Sequence, residues 1–260
     1  MSAASETRAA AAAFTFMTRL PLGRFASHDP NDLQASAAYF PLVGIAVGAV
    51  AAGIFSLGTL IWPISIAVLL SMIATVFLTG AFHEDALADT LDGLGGGRTV
   101  DRVLEIMKDS RVGSYALVGV TLILATKFAA LLSIAGGGTT SVAKALIAGH
   151  VLGRWSSVPL MMNYSYVRPA STNARASAGG PFADGISRAR SLIATVIAFG
   201  SVFVVLGAVD ALVTTMVATL VTMIAGLRFN RRIGGITGDT LGAANQIVEL
   251  SVYLALLAHR

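Results

Sequence analysis

The sequence predicts an all-α fold, a polytopic transmembrane helical bundle of about seven spans, and three observations predict it. Only 12% of the 260 residues are charged and 55% are hydrophobic, whereas soluble domains carry about a quarter charged residues. Mean hydropathy is +0.76, and the apolar residues gather in runs near the ~20 positions that cross a bilayer core as a helix. Basic residues fall in alternate loops, which is how topology is written into a multi-pass chain.

The elements follow in order. Residues 1–38 read as an amphipathic or interfacial segment, because their apolar stretch is Ala-rich, interrupted and followed by Pro21. Spans are expected over 40–60, 62–82, 112–134, 140–162, 191–209, 211–228 and 241–258. Trp62-Pro63 marks the turn between the first two, and Asp210 the turn between the fifth and sixth. With seven spans, fourteen of the 18 Lys and Arg residues fall on one side, Arg260 alone falls on the other, and Lys127, Lys144 and Arg154 lie inside spans. That side is expected to be cytoplasmic. It carries the N-terminus, the 83–111 loop, the 163–190 loop and the 229–240 loop. The 163–190 loop, rich in Gly, Ser and Pro, is expected to be a mobile lid.

The net charge of +4 is spread over separate loops and is read as topology, not nucleic-acid affinity. The absence of cysteine excludes disulfides, thiolate metal sites and cysteine nucleophiles. No internal repeat is evident, which argues against a transporter built from duplicated halves. Residues 1–260 are expected to form a single integral membrane domain.

Chemistry concentrates in His83–Arg111, which holds seven of the 14 acidic residues. Asp85, Asp89 and Asp92 recur at i, i+4 and i+7 and share one helical face. A solvated face would intersperse Lys or Arg, and none occurs between His83 and Gly97. Carboxylates so close resist ionising together unless a cation joins them. Magnesium, a hard cation that binds through a few carboxylates and substrate phosphates, is the expected cofactor. Glu84 lies about 100° around the helix from this face. Positions 99–109 read as a second helix with Thr99 as N-cap, carrying Asp101, Glu105 and Asp109 at four-residue spacing. Lys108 and Arg111 are expected to bind phosphate.

Ionisable residues inside spans default to functional hypotheses. Arg154, about two turns inside its span, is expected to face a substrate phosphate, with His150 one turn deeper. Lys127 is expected to pair with an acid in the bundle. The second landmark, Gly234–Gly242, offers Asp239 as a further metal ligand and Thr237 as a substrate contact. Glu249, within the last span, needs a partner or a cavity.

In this order and spacing HEDALADTLDG, EIMKDSRVGSY and GGITGDTLGAANQIVE, with the early RLPLG and FPLVG, resemble the cobalamin synthase family of membrane-bound adenosylcobinamide-GDP ribazoletransferases. The family pattern H-x-D-G-x-A-D-x-x-D-G falls on His83 to Gly93, with Ala86 where Gly is common. The resemblance implies a magnesium-dependent reaction in the bacterial inner membrane. Adenosylcobinamide-GDP and α-ribazole, or its 5′-phosphate, give adenosylcobalamin, or its 5′-phosphate, plus GMP. Asp85, Asp89, Asp92 and Asp239 would hold metal, and an Asp of the cluster or Asp109 would take the proton. Lys108, Arg111, Arg154, Thr237, Asp239 and Glu249 would bind substrate. Besides its substrates the expected partner is the lipid bilayer, with no nucleic acid, and self-association is left open. Asp89-x-x-Asp92-Gly93 also resembles the start of the CDP-alcohol phosphotransferase motif, but the Ala-Arg that follows there is absent. An ion-coupled transporter would place acids deep in several spans, whereas these gather at one face.

Overall fold

The computed structural model describes residues 3–26, 29–167 and 186–258. These residues form eleven α-helices: α1 (Ala3–Met17), α2 (Pro30–Ser36), α3 (Phe40–Gly58), α4 (Ile64–Thr79), α5 (Phe82–Gly96), α6 (Val100–Ile106), α7 (Ser114–Ile134), α8 (Thr139–Asn163), α9 (Arg188–Leu206), α10 (Ala208–Ile233) and α11 (Gly238–Ala258). The only strand-like pairing among them is an isolated bridge between Tyr166 and Ile236. The lid expected at 163–190 lies largely outside the described residues.

Helix α8 is the hub. On one side Gly44 and Gly48 of α3 let the backbones meet: a Cβ at Gly44 would sit 2.6 Å from the His150 carbonyl oxygen, and one at Gly48 2.6 Å from Ile147 Cα. This is the small-xxx-small contact by which helices associate in lipid. On its other side Gly149 faces Tyr253, and Gly153 faces Asn245 of α11.

The span count needs correction. Five helical segments are long and apolar enough to cross a membrane, and a sixth arises only if α4 and α5 are taken together. The expected span at 140–162 is the helix α8, which falls short on composition. Sixteen of its 25 residues are buried, including Arg154, His150, Ser156 and Ser157. Its neighbours are protein, so polar groups that lipid would reject are tolerated there.

The break between α4 and α5 creates the site. Gly80 (φ 71°) and Ala81 (φ 59°) are both left-handed, and the two helix axes diverge by 88°. Alanine in that region costs about 1–2 kcal/mol, so the turn is imposed by packing. With four carboxylates, α5 turns out of line with α4, and we place it outside the spanning segments at their polar edge. Its C-terminal carbonyls are tied down from α10: Arg232 Nη2 donates to Leu94 O (2.9 Å) and Gly97 O (3.0 Å). Between α9 and α10 the turn falls at Gly207 (φ 83°), not at Asp210, which lies in the first turn of α10.

Beside the same bend, where the Phe16 ring meets that of Phe82 edge-on, α1 is clasped to α9. Arg190 donates to both oxygens of Glu6 (2.7 and 2.8 Å), and Tyr39 OH donates to the same carboxylate. Arg8 Nε and Ser5 Oγ both reach Asp32.

Candidate active site

The start of α11 packs on α5 at Gly242, where a side chain would run into Ala86. That contact brings Asp239 into the field of Asp85 and Asp89. Asp89, half-buried, is pushed up to about 7, first by burial and then by Asp239, Asp85 and Asp92 in turn. Lys108, just beyond α6, acts on Asp239 from the opposite sign. An anionic cluster of this kind is short of positive charge, and its oxygens are the donor type magnesium takes. The donor set therefore fits, although among the described residues no group of three Asp, Glu or His stands ready-spaced around one point.

Asp92 has a use within the fold that its spacing does not suggest. Its carboxylate accepts N–H bonds from Gly113 (2.6 Å) and Ala116 (2.9 Å), capping the N-terminus of α7. The helix expected over 99–109 ends at Ile106, capped as expected by Thr99, whose Oγ1 accepts from Arg102 N. Asp109 therefore lies off the helix. It grips Arg111 through Nε (2.9 Å) and Nη2 (2.5 Å) in open solvent, and that pairing holds its carboxyl down at about 2. Asp109 is thus a poor proton acceptor. Arg102 and Glu105 form the exposed i,i+3 pair at 2.7 Å.

Thr237 and Thr240 cap α11 reciprocally: Thr240 N donates to Thr237 Oγ1 (3.2 Å), and Thr237 N donates to Thr240 Oγ1 (2.8 Å). The loop before them is pinned to the end of α8. Val167 N donates to Ile236 O, and Gly238 N to the Tyr166 hydroxyl.

Arg154 and Glu249 belong to a second, buried cluster. Glu249 accepts from Lys127 Nζ (2.8 Å) and Tyr253 OH (3.0 Å), and faces His150 Nδ1 at 3.3 Å. Lys127 thus finds its acid, and it also donates to Gln246 Oε1 (2.6 Å). Arg154 donates to the His150 carbonyl (3.2 Å), while Gln246 donates to Glu84 Oε1 (3.3 Å). Residue spacing singled out neither His83 nor Gln246 as a site residue. The available signal was the row Asn245-Gln246-Glu249 at the head of an apolar helix. This cluster floors a cavity of about 550 Å³ between α4 and α7.

Fold and site together define a multi-pass α-helical membrane protein with a polyacidic site where a bent helix meets the last span. A family description, Cobalamin-5-phosphate synthase, matches residues 9–257. The adenosylcobinamide-GDP ribazoletransferase of Shewanella amazonensis is 44% identical over 246 residues, covering 94% of this chain and 93% of that protein. Those of Shewanella frigidimarina (42%; 95% and 92% covered) and Leptothrix cholodnii (41%; 95% and 93%) are similar to it as well. No solved structure matches. The chain belongs to the cobalamin-5-phosphate synthase family, and so to the transferases of cobalamin synthesis.

Proposed function

We propose that this chain is an adenosylcobinamide-GDP ribazoletransferase of the bacterial inner membrane, with its N-terminus and acidic site facing the cytoplasm and magnesium as cofactor. Beside family membership, the observation that carries the reading is the crowding of Asp85 and Asp89 against Asp239. The cations of the N-terminal segment, Arg8, Arg19 and Arg24, and those beside the acidic site, Arg98, Arg102, Lys108 and Arg111, support the orientation.

In this reading a ribazole hydroxyl attacks the phosphorus nearest cobinamide. The new O–P bond forms as the bond to the GMP oxygen breaks, and GMP leaves with the electron pair. Asp85, Asp89 and Asp239 would hold magnesium, which when bound offsets the charge of the diphosphate and of the leaving group. Lys108, within reach of Asp239, would contact phosphate oxygens. The hydroxyl proton passes to a carboxylate of α5, since Asp109 is occupied by Arg111. Asp92 supports this arrangement by fixing α7 against α5. Arg111, held by Asp109 in solvent, would meet the GDP-linked substrate as it arrives. Arg154 and Glu249 would act from the cavity side, and Thr237 by shaping the loop that presents Asp239.

The test uses full-length protein in nanodiscs with adenosylcobinamide-GDP and α-ribazole, and reads GMP. Release is expected only with magnesium, at least 100-fold lower in Asp89→Asn with its unfolding temperature unchanged, and within twofold of wild type in Asp101→Asn. Full activity in a folded Asp89→Asn protein would overturn the site.

A further inference from the structure

The cavity floored by the buried cluster is not the acidic site, although both touch α5. Its walls are apolar side chains of α4 and α7, including Leu69, Ile73, Phe77 and Leu124. Leu69, Ile73 and Phe77 are 40%, 47% and 74% exposed, so in a bilayer the mouth opens sideways among acyl chains. The floor carries Lys127, Arg154, Glu84 and Glu249, two cations against two anions, so these four charges offset one another. It has no surplus with which to hold a phosphate or a carboxylate.

The floor is also incompletely satisfied. Arg154 Nε, Glu84 Oε2 and His83 Nε2 are buried without a hydrogen-bond partner, and all three residues line the cavity. Arg154 and His83 are 1% and 3% exposed. An unmet buried donor or acceptor is costly, and a ligand that meets it recovers that cost as affinity and specificity. The ligand chemistry is therefore specified. It is neutral, with an apolar body and a polar end that both accepts and donates. The volume lies in the range of small-molecule sites, ~300–1,000 Å³.

Resting on the function proposed above, we propose that this cavity is the acceptor subsite, and that it takes the benzimidazole of ribazole from the bilayer side. A benzimidazole nucleoside has the required form: a flat apolar base, one ring nitrogen to accept from Arg154 Nε–H, and ribose hydroxyls to donate to Glu84 Oε2. Glu84 precedes Asp85, so a nucleoside seated there has its sugar beside the turn of α5 that carries the carboxylates. Any 5′-phosphate stays outside the neutral floor.

The test is equilibrium binding of α-ribazole to full-length protein in nanodiscs, without magnesium or the GDP-linked substrate, followed by steady-state kinetics. Ala125→Phe fills the cavity from an exposed position on α7, while Leu117→Phe, 64% exposed and away from the cavity, is the control. Ala125→Phe is expected to weaken α-ribazole binding at least tenfold and to raise its KM likewise, leaving the KM for adenosylcobinamide-GDP within twofold. Leu117→Phe is expected to change neither. A nucleoside affinity within twofold of wild type in a folded Ala125→Phe protein overturns the proposal. So does native mass spectrometry showing a lipid that Ala125→Phe expels while α-ribazole binding persists. If instead α-ribazole binding is lost in Ala125→Phe but wild type releases no GMP, the subsite stands and the transferase reading falls.

Discussion

Removing one partner of the buried Lys127–Glu249 pair should unfold much more of the protein's stability than removing both. Each residue is 4% exposed, and the charges approach to 2.8 Å. At an effective dielectric of about 20 the attraction at that distance is ~6 kcal/mol, but stripping each ion of water costs several kcal/mol in return. The net worth of the pair is small, whereas an orphaned charge keeps its penalty. Glu249→Gln leaves the Lys127 ammonium with Gln246 Oε1 at 2.6 Å as its neutral acceptor. The expected loss is accordingly at the low end of the usual range, about 3 kcal/mol. Lys127→Met strands the Glu249 carboxylate beside His150 and the Tyr253 hydroxyl, with a similar expected loss.

The double variant Lys127→Met, Glu249→Gln removes both charges and leaves the Tyr253 hydroxyl only a neutral amide acceptor, a loss of about 1 kcal/mol. It should lie within about 2 kcal/mol of wild type, giving a coupling energy of several kcal/mol. SDS-induced unfolding in mixed micelles measures all four corners of the cycle. Single variants within about 1 kcal/mol of wild type, or a double variant no more stable than the worse single, would refute the reasoning. A near-wild-type double variant that has lost activity would show that the pair serves the site, by holding Gln246 against Glu84, more than it serves the fold.

Three further outcomes are expected. Asp92→Asn keeps one acceptor oxygen for the two N–H groups of Gly113 and Ala116, so it should lower unfolding stability by about 1–2 kcal/mol, unlike Asp89→Asn, and SDS unfolding separates the two. Glu6 is held down from 4.5 to about 2, chiefly by Arg190 and then Tyr39. Because the folded value is the lower one, the clasp contributes fully above pH 4.5 and is lost as pH falls toward 2. Unfolding temperature should therefore decline over that window in wild type and decline less in Glu6→Gln. Gly242→Ala places a methyl against Ala86 and should part α11 from α5. The expected cost is about 1–3 kcal/mol, and GMP release should fall more than α-ribazole binding.

Much of the site was legible because its chemistry is local. Asp85 and Asp89 one helical turn apart, and Asp239 at the head of the last span, are patterns that need no knowledge of packing. Asp92 shares the same period, yet its role is set by where α7 begins in space, 21 residues away from it at Gly113. The pairing of Lys127 was predictable in kind, since a buried charge needs a counter-charge, but not in partner: Glu249 lies across the bundle on α11. The span count failed for a related reason. Hydropathy measures how a helix suits lipid, and α8 meets mostly protein.

The bend at Gly80-Ala81 was illegible altogether, because alanine gives no sign of a left-handed backbone, and this bend gives the site its two faces. Once α5 turns away from α4 its successive residues point about 100° apart. His83 and Glu84 then line the apolar cavity, while Asp85 and Asp89 share a field with Asp239. A straight continuation of α4 would have carried the acids on through the same apolar layer, where unpaired carboxylates are expelled or neutralised. The same turn sets the apolar cavity and the acidic cluster on adjacent faces of one helix. A hydroxyl entering from lipid and a diphosphate entering from water can meet across it without either crossing the other's solvent.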